Sequence, residues 1–187
     1  MQKSKDKVNP SMSTAIIFWF TGLSGAGKST ITEAVKKKLE LNGLGVLILD
    51  GDNVRSQLHK NLGFSKSDII ENNRLISELC VHYQNEYDVI FVSIISPFIK
   101  SRNAAREKIG KNFFEIFVHA DIDTLKKRDT KGLYKKASVG QMNNLIGVSK
   151  KSKYEPPNYP DLRIDTAHCE EKISIDELYK FVLNKLA

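Results

Sequence analysis

The apolar run AIIFWF (15–20) passes through one threonine into the octapeptide GLSGAGKS (Gly22–Ser29), and from there into STITEAVKKKLELNG. No other feature constrains the fold as strongly. A continuous apolar run bounded by turn residues is how a strand buried on both faces reads, and such strands belong to parallel sheets. The segment after it places Ile31, Ala34, Val35 and Leu39 at helical spacing and closes on Asn42-Gly43. The octapeptide fits G-x-x-x-x-G-K-[ST] in the strand-to-helix context where that pattern cradles phosphate. Gly22, Gly25 and Gly27 let the backbone approach phosphate oxygens that side chains would block. The loop Gly22, Leu23, Ser24, Gly25, Ala26, Gly27 and the helix start at Lys28, Ser29 and Thr30 offer N–H donors and partial positive charge. Lys28 is expected to reach the β- and γ-phosphates of ATP, and the Ser29 hydroxyl to sit on Mg²⁺.

Further apolar runs follow: GVLILD (45–50), DVIFVSIIS (88–96), FFEIFVHA (113–120) and a last strand near 162–166. Helical patterns alternate with them at 68–86, near Ile99–Ile109, after Asp121, around 138–146, and in SIDELYKFVLNKLA. The alternation predicts an α/β three-layer sandwich of the P-loop NTPase type, with a parallel five-stranded sheet flanked by helices. Its 187 residues suit one domain, expected over 14–187, behind a flexible basic tail at 1–13. Ligands in such sheets bind beyond the carboxyl ends of the strands.

A net charge of +7 favours anionic partners, either polyanions or small anionic substrates. No aromatic-interleaved basic patch supports nucleic acid, and no segment predicts a membrane span or export signal. Cys80 and Cys169 stand far apart without a metal-ligand pattern, so a reducing cytoplasm fits. His59, His82, His119 and His168 each stand alone and suggest no catalytic role.

The loop alone leaves the acceptor open. No N-K-x-D guanine signature is present, and the 88–96 strand ends in Ser-Pro rather than on an acid. The acids lie instead in LDGDNVR, as Asp50 and Asp52, with Arg55 a turn further on. A carboxylate there can take a proton from an attacking hydroxyl or hold metal-bound water, and the arginine can clamp an anion. A helix cap at Asp52 with a surface ion pair is the bland alternative.

FWFTGLSGAGKST, LDGDNVR, NLGFS, ISP and KGLYKKA stand in the order and spacing of the adenylylsulfate (APS) kinases, and the resemblance runs from about Ile16 to Asp165. It implies Mg-ATP-dependent phosphorylation of the 3′-hydroxyl of adenosine 5′-phosphosulfate, giving PAPS and ADP. It further implies Asp52 as base, Asp50 beside the metal, and Arg55 on the phosphosulfate. Phe64 would stack on the acceptor's adenine, Asn72 would hydrogen-bond that substrate, and Ile95 would line the pocket through its backbone. Ser96 matches a serine recorded in the family as a phosphoserine intermediate; shaping the strand end is the other role open to it. Arg128 resembles the residue that packs on the ATP base. Lys131, Leu133, Tyr134, Lys135 and Lys136 resemble a mobile lid, expected at about 129–150. A homodimer is implied by resemblance alone.

Three departures bear on the acceptor. Ile69 stands where the family carries an arginine, Leu145 where it carries an aromatic, and Ser149 where it carries an acid. A 3′-kinase of another nucleotide, such as cytidine diphosphoramidate, is therefore the alternative. A nucleotide-binding module without catalysis and a nucleic-acid-binding protein are the readings from other classes.

Overall fold

The computed structural model describes residues 14–57, 61–149 and 152–187. The tail expected at 1–13 and His59 lie outside the described residues. Five strands form one parallel sheet: β1 (Ile16–Thr21), β2 (Val46–Asp50), β3 (Val89–Ser93), β4 (Phe113–His119) and β5 (Leu162–Asp165), in the order β2-β3-β1-β4-β5. The helices are α1 (Lys28–Leu41), α2 (Gly51–Gln57), α3 (Lys66–Tyr83), α4 (Ile99–Ile109), α5 (Ile122–Arg128), α6 (Leu133–Ser138) and α7 (Glu171–Leu186). The chain leaves β1 toward β2 on one side and later crosses to β4 on the other. That reversal opens a crevice at the carboxyl end of β1, where the glycine loop begins.

The side chains of β1 alternate between two cores. Phe18 and Phe20 join Ile31, Val35, Phe91, Ile116, Leu178 and Val182 on the α1/α7 face. Ile17 and Trp19 join Leu49, Ile76, Val92 and Ala105 on the α3/α4 face. All four β1 side chains are fully buried, each worth roughly 1.5–3 kcal/mol of apolar transfer. This double burial is why the run reads as uniformly apolar rather than alternating.

Three helices differ from the pattern reading, and the last of them, expected in SIDELYKFVLNKLA, begins three residues earlier, at Glu171. The helix expected at 68–86 is Lys66–Tyr83, because Ser65 and Asp68 form a reciprocal capping box. The helix expected around 138–146 is instead Leu133–Ser138. Gly132 enters it at φ 65°, and the Asp129 carboxylate accepts from the Tyr134 and Lys135 N–H groups at 3.0 and 2.9 Å. Gly140, at φ 74°, follows its end, and residues 139–149 run as turns. Among the described residues no helix is long and apolar enough to cross a membrane.

Candidate active site

Gly22 ends β1 against β4. A Cβ on it would stand 2.3 Å from the Val118 carbonyl oxygen, and its φ is 150°, so no other residue fits. Its N–H donates to Ile95 O at 3.3 Å, tying the loop to the end of β3. Lys28 folds back beneath the loop and donates from Nζ to Gly22 O at 2.8 Å and Leu23 O at 2.9 Å. Burial pushes its pKa down to about 7; Lys131 adds to the effect while Asp50 and Asp52 oppose it. Thr30 is exposed beside the loop, and Ala26 is buried under it with its carbonyl accepting from Thr166 Oγ1 at 2.9 Å. Arg128, at the end of α5, donates to Thr166 O and, at 3.3 Å, to Thr166 Oγ1. It thus sits at the end of β5 on the flank of the loop.

Ser29 Oγ donates to Asp50 Oδ2 at 3.1 Å and lies 3.4 Å from Ser93 Oγ. The other Asp50 oxygen accepts from the Asp52 and Asn53 N–H groups at 3.0 and 3.4 Å. Asp50, not Asp52, therefore supplies the carboxylate that caps α2, and Asp52 is left in the first turn facing the cavity. Ser29, Asp50 and Ser93 gather hard oxygen donors, which fits Mg²⁺. No cluster of three or more His, Cys, Asp or Glu exists among the described residues. One carboxylate and two hydroxyls suit an ion completed by phosphate oxygens and water. Ser93 was missed in the sequence because its place beside Asp50 comes from the β2–β3 register, where the two residues pair.

One cavity of about 450 Å³ joins the two halves of the predicted site. Ser24, Gly25, Gly27, Lys28, Ser29, Thr30 and Asp50 line one end. Asp52, Arg55, Phe64, Asn72, Ile95, Ser96, Lys131 and Leu133 line the rest. Gly22, Leu23, Ala26, Arg128 and Tyr134 stand outside that lining. Tyr134 nonetheless reaches the loop, its hydroxyl donating to Ser24 O at 2.8 Å. Arg55 lies 4.8 Å over the Phe64 ring and donates to Gly63 O at 2.7 Å. Phe64 remains 60% exposed, an unusual state for a phenylalanine at a cavity wall. Lys131 Nζ meets Asp52 Oδ2 at 2.5 Å, linking the segment after α5 to α2. Ile69 and Leu145, the two apolar departures, are both buried in the same wall.

Ser96 is buried with φ 43°. Its Oγ accepts from Trp19 Nε1 at 3.0 Å, and its carbonyl accepts from Arg102 Nη1 at 2.7 Å. Ile95 O accepts from Thr21 Oγ1 at 2.9 Å as well as from Gly22 N, so its backbone belongs to the junction of loop and wall. Thr21 Oγ1 also bonds the Tyr154 hydroxyl at 2.9 Å, and Arg102 and Tyr154 carry no local signature of this role, since both reach the junction from distant parts of the chain.

A central parallel sheet, a glycine loop with its lysine after β1, and acids at the carboxyl end of β2, two strands away, define a P-loop kinase. The adenylylsulphate kinase family model matches residues 14–165, and the chain belongs to that family. It is 42% identical to the adenylyl-sulfate kinase of Bacillus velezensis over 187 residues, covering 100% of this chain and 90% of that one. To the adenylyl-sulfate kinase of Clostridium acetobutylicum it is 40% identical over 166 residues, 89% of this chain and 82% of the relative. The structure of the Mycobacterium tuberculosis APS kinase in complex with AMPPNP and APS superimposes with a TM-score of 0.83 at 35% identity, over 93% of this chain and 98% of that one.

Proposed function

We propose that this chain transfers the γ-phosphoryl group of ATP to the 3′-hydroxyl of adenosine 5′-phosphosulfate, giving PAPS and ADP. The observation that carries the reading is that Lys28, Ser29, Asp50 and Asp52 line one cavity in a chain of the adenylylsulfate kinase family. The curated relatives at about 40% identity bear the adenylyl-sulfate kinase name, which supports the adenosine acceptor over the cytidine one.

In this reading the loop from Gly22 to Thr30 holds the ATP phosphates and Arg128 borders its base. Lys28 exchanges its two carbonyl partners for phosphate oxygens and regains its charge as it does so. Ser29 and Asp50 would hold Mg²⁺, which would neutralise charge on the transferring group. Asp52 accepts the proton of the 3′-hydroxyl, which requires Lys131 to leave it. Arg55 pairs with the phosphosulfate and leaves one face of Phe64 to the base. Asn72 and the Ile95 backbone position the acceptor. Lys131, Leu133 and Tyr134 belong to a lid over 129–150 that excludes water and brings positive charge to the transfer. Ser96 shapes the end of β3 rather than relaying phosphate. The enzyme acts in the cytoplasm as a homodimer, without nucleic acid or membrane partners.

ADP release with adenosine 5′-phosphosulfate and with a cytidine diphosphate-type acceptor, measured side by side, tests the assignment. Turnover with the adenosine ester alone is expected. Turnover with the cytidine nucleotide and none with the adenosine ester would overturn it.

A further inference from the structure

Three buried side-chain polar atoms among the described residues lack a hydrogen-bond partner: Asn73 Nδ2, Ser101 Oγ and Ser174 Oγ. Of these residues Asn73 alone lines the cavity. It is 3% exposed, on the face of α3 that buries Ile69, Asn72 and Ile76 at helical spacing. One turn on, Ile76 is fully buried in the core with Trp19 and Val92. One turn back, Ile69 belongs to the cavity wall. Asn73 thus stands where the apolar interior gives way to the cavity, and a side chain there would ordinarily be apolar. An amide donor buried without a partner is destabilising, and such groups are rare unless a ligand or ordered water satisfies them.

The cavity is divided by chemistry. Lys28, Asp50, Asp52, Arg55 and Lys131 supply its charge and suit phosphates, sulfate and the reacting hydroxyl. Phe64, Ile69 and Leu145 supply an apolar slot for a flat ring. Asn73 stands one turn from Ile69 on α3 and adds an uncharged amide to the same lining. A carboxamide presents one donor and one acceptor in a plane, which matches the amino-and-ring-nitrogen edge of adenine.

We propose that Asn73 is a specificity-determining residue whose carboxamide hydrogen-bonds the edge of the acceptor's base that carries the exocyclic amino group. The proposal rests on the 3′-kinase reading above. It makes the amide a group kept for the ligand at the expense of the unliganded fold.

Asn73→Leu, close in volume, tests both halves of that statement. The KM for adenosine 5′-phosphosulfate should rise about tenfold while the KM for ATP stays within about twofold. The melting temperature of the unliganded protein should equal or exceed that of wild type. The preference of the wild type for adenosine over purine-riboside 5′-phosphosulfate, which lacks the amino group, should shrink in the variant. An unchanged acceptor KM overturns the inference, as does a lower melting temperature with both KM values raised together, because that marks a structural amide. A variant that does not fold marks one too, unless Asn73→Ala folds and shows the selective rise in acceptor KM. Wild-type protein without turnover of adenosine 5′-phosphosulfate overturns the functional reading and the inference with it. Wild-type turnover with the variant's acceptor KM unmoved overturns the inference alone.

Discussion

Lys28 couples the stability of the fold to pH in a direction that can be worked out. Its ammonium group has an ordinary pKa of 10.5, and burial brings it to about 7 in the folded chain. The unfolded chain therefore holds this proton up to about pH 10.5, while the folded chain releases it near pH 7. Between these values the unfolded state binds more protons, so stability rises with pH, and the cost of burying the charge is fully present below pH 7. Integrating the difference in bound protons from pH 7 to pH 9 gives about 2 kcal/mol. Lys28→Met removes the titration and leaves the other groups in place. The unfolding free energy of wild type, measured relative to Lys28→Met in urea, should therefore rise by about 2 kcal/mol over that interval. Profiles that stay parallel within about 0.5 kcal/mol would refute the buried-lysine argument.

The same titration should appear in ligand binding. At pH 8 a lysine of pKa about 7 is roughly nine-tenths neutral. Phosphate oxygens in place of the Gly22 and Leu23 carbonyls favour the charged form, so ATP binding should take up about 0.9 proton at pH 8. Calorimetry in buffers of different ionisation enthalpy measures that number directly. Binding without proton uptake would mean that Lys28 is already charged in the free protein.

Asp52→Asn should keep ATP affinity within about twofold and lower turnover at least about a hundredfold, as calorimetry and ADP-release assays would record; unchanged turnover removes Asp52 from the role of base. Gly22→Ala drives a Cβ to 2.3 Å from a backbone oxygen of the neighbouring strand and should cost more than about 3 kcal/mol in denaturant unfolding. A cost under about 1 kcal/mol would show that β1 and β4 part easily there. Ser96→Ala should retain turnover within about tenfold while losing about 1 kcal/mol of stability with the Trp19 partner. Loss of turnover together with a phosphoserine detected by mass spectrometry in wild type would instead make Ser96 a covalent relay.

What the sequence disclosed follows from how local each determinant is. The glycine loop could be read because its strand, turn and helix are contiguous. Four of the five strands could be read because each is a bounded apolar run, with ends misplaced by up to three residues; the short β5, Leu-Arg-Ile-Asp, is placed by the proline-broken loop before it. The 138–146 helix failed because six residues carry too little periodicity to be found. Its true position is set by the Asp129 carboxylate and by the positive φ of Gly132. Ser93 could not be found without the strand register, and LDGDNVR alone did not say which of its aspartates caps α2. Arg102 lies within the helical pattern near Ile99–Ile109, where nothing local marks it out. Its burial against Glu115, which is 13 residues away, is a property of the packed structure.

That buried arginine ties together the elements to which the proposed function assigns the two anionic substrates. Arg102 is ion-paired with Glu115 of β4 and donates to Ser96 O at the end of β3 and to Glu155 O in the segment returning from residues 129–149. Thr21 lies beside the same junction, donating to the Ile95 and Ser96 carbonyls and bonded at 2.9 Å to the Tyr154 hydroxyl. The strand that launches the glycine loop, the cavity wall after β3 and the chain returning from residues 129–149 thus meet in one hydrogen-bonded knot. Breaking one partner of a buried ion pair typically costs 3–5 kcal/mol, so this knot resists the displacements that substrates impose around it. The contacts that must change during turnover are of another kind. Lys131 on Asp52 is an ion pair between side chains 56% and 74% exposed, and such pairs are worth about 1 kcal/mol or less. In the proposed reaction the rigid ties would fix the distance between donor and acceptor, and the weak exposed pair would release Asp52 when the acceptor arrives.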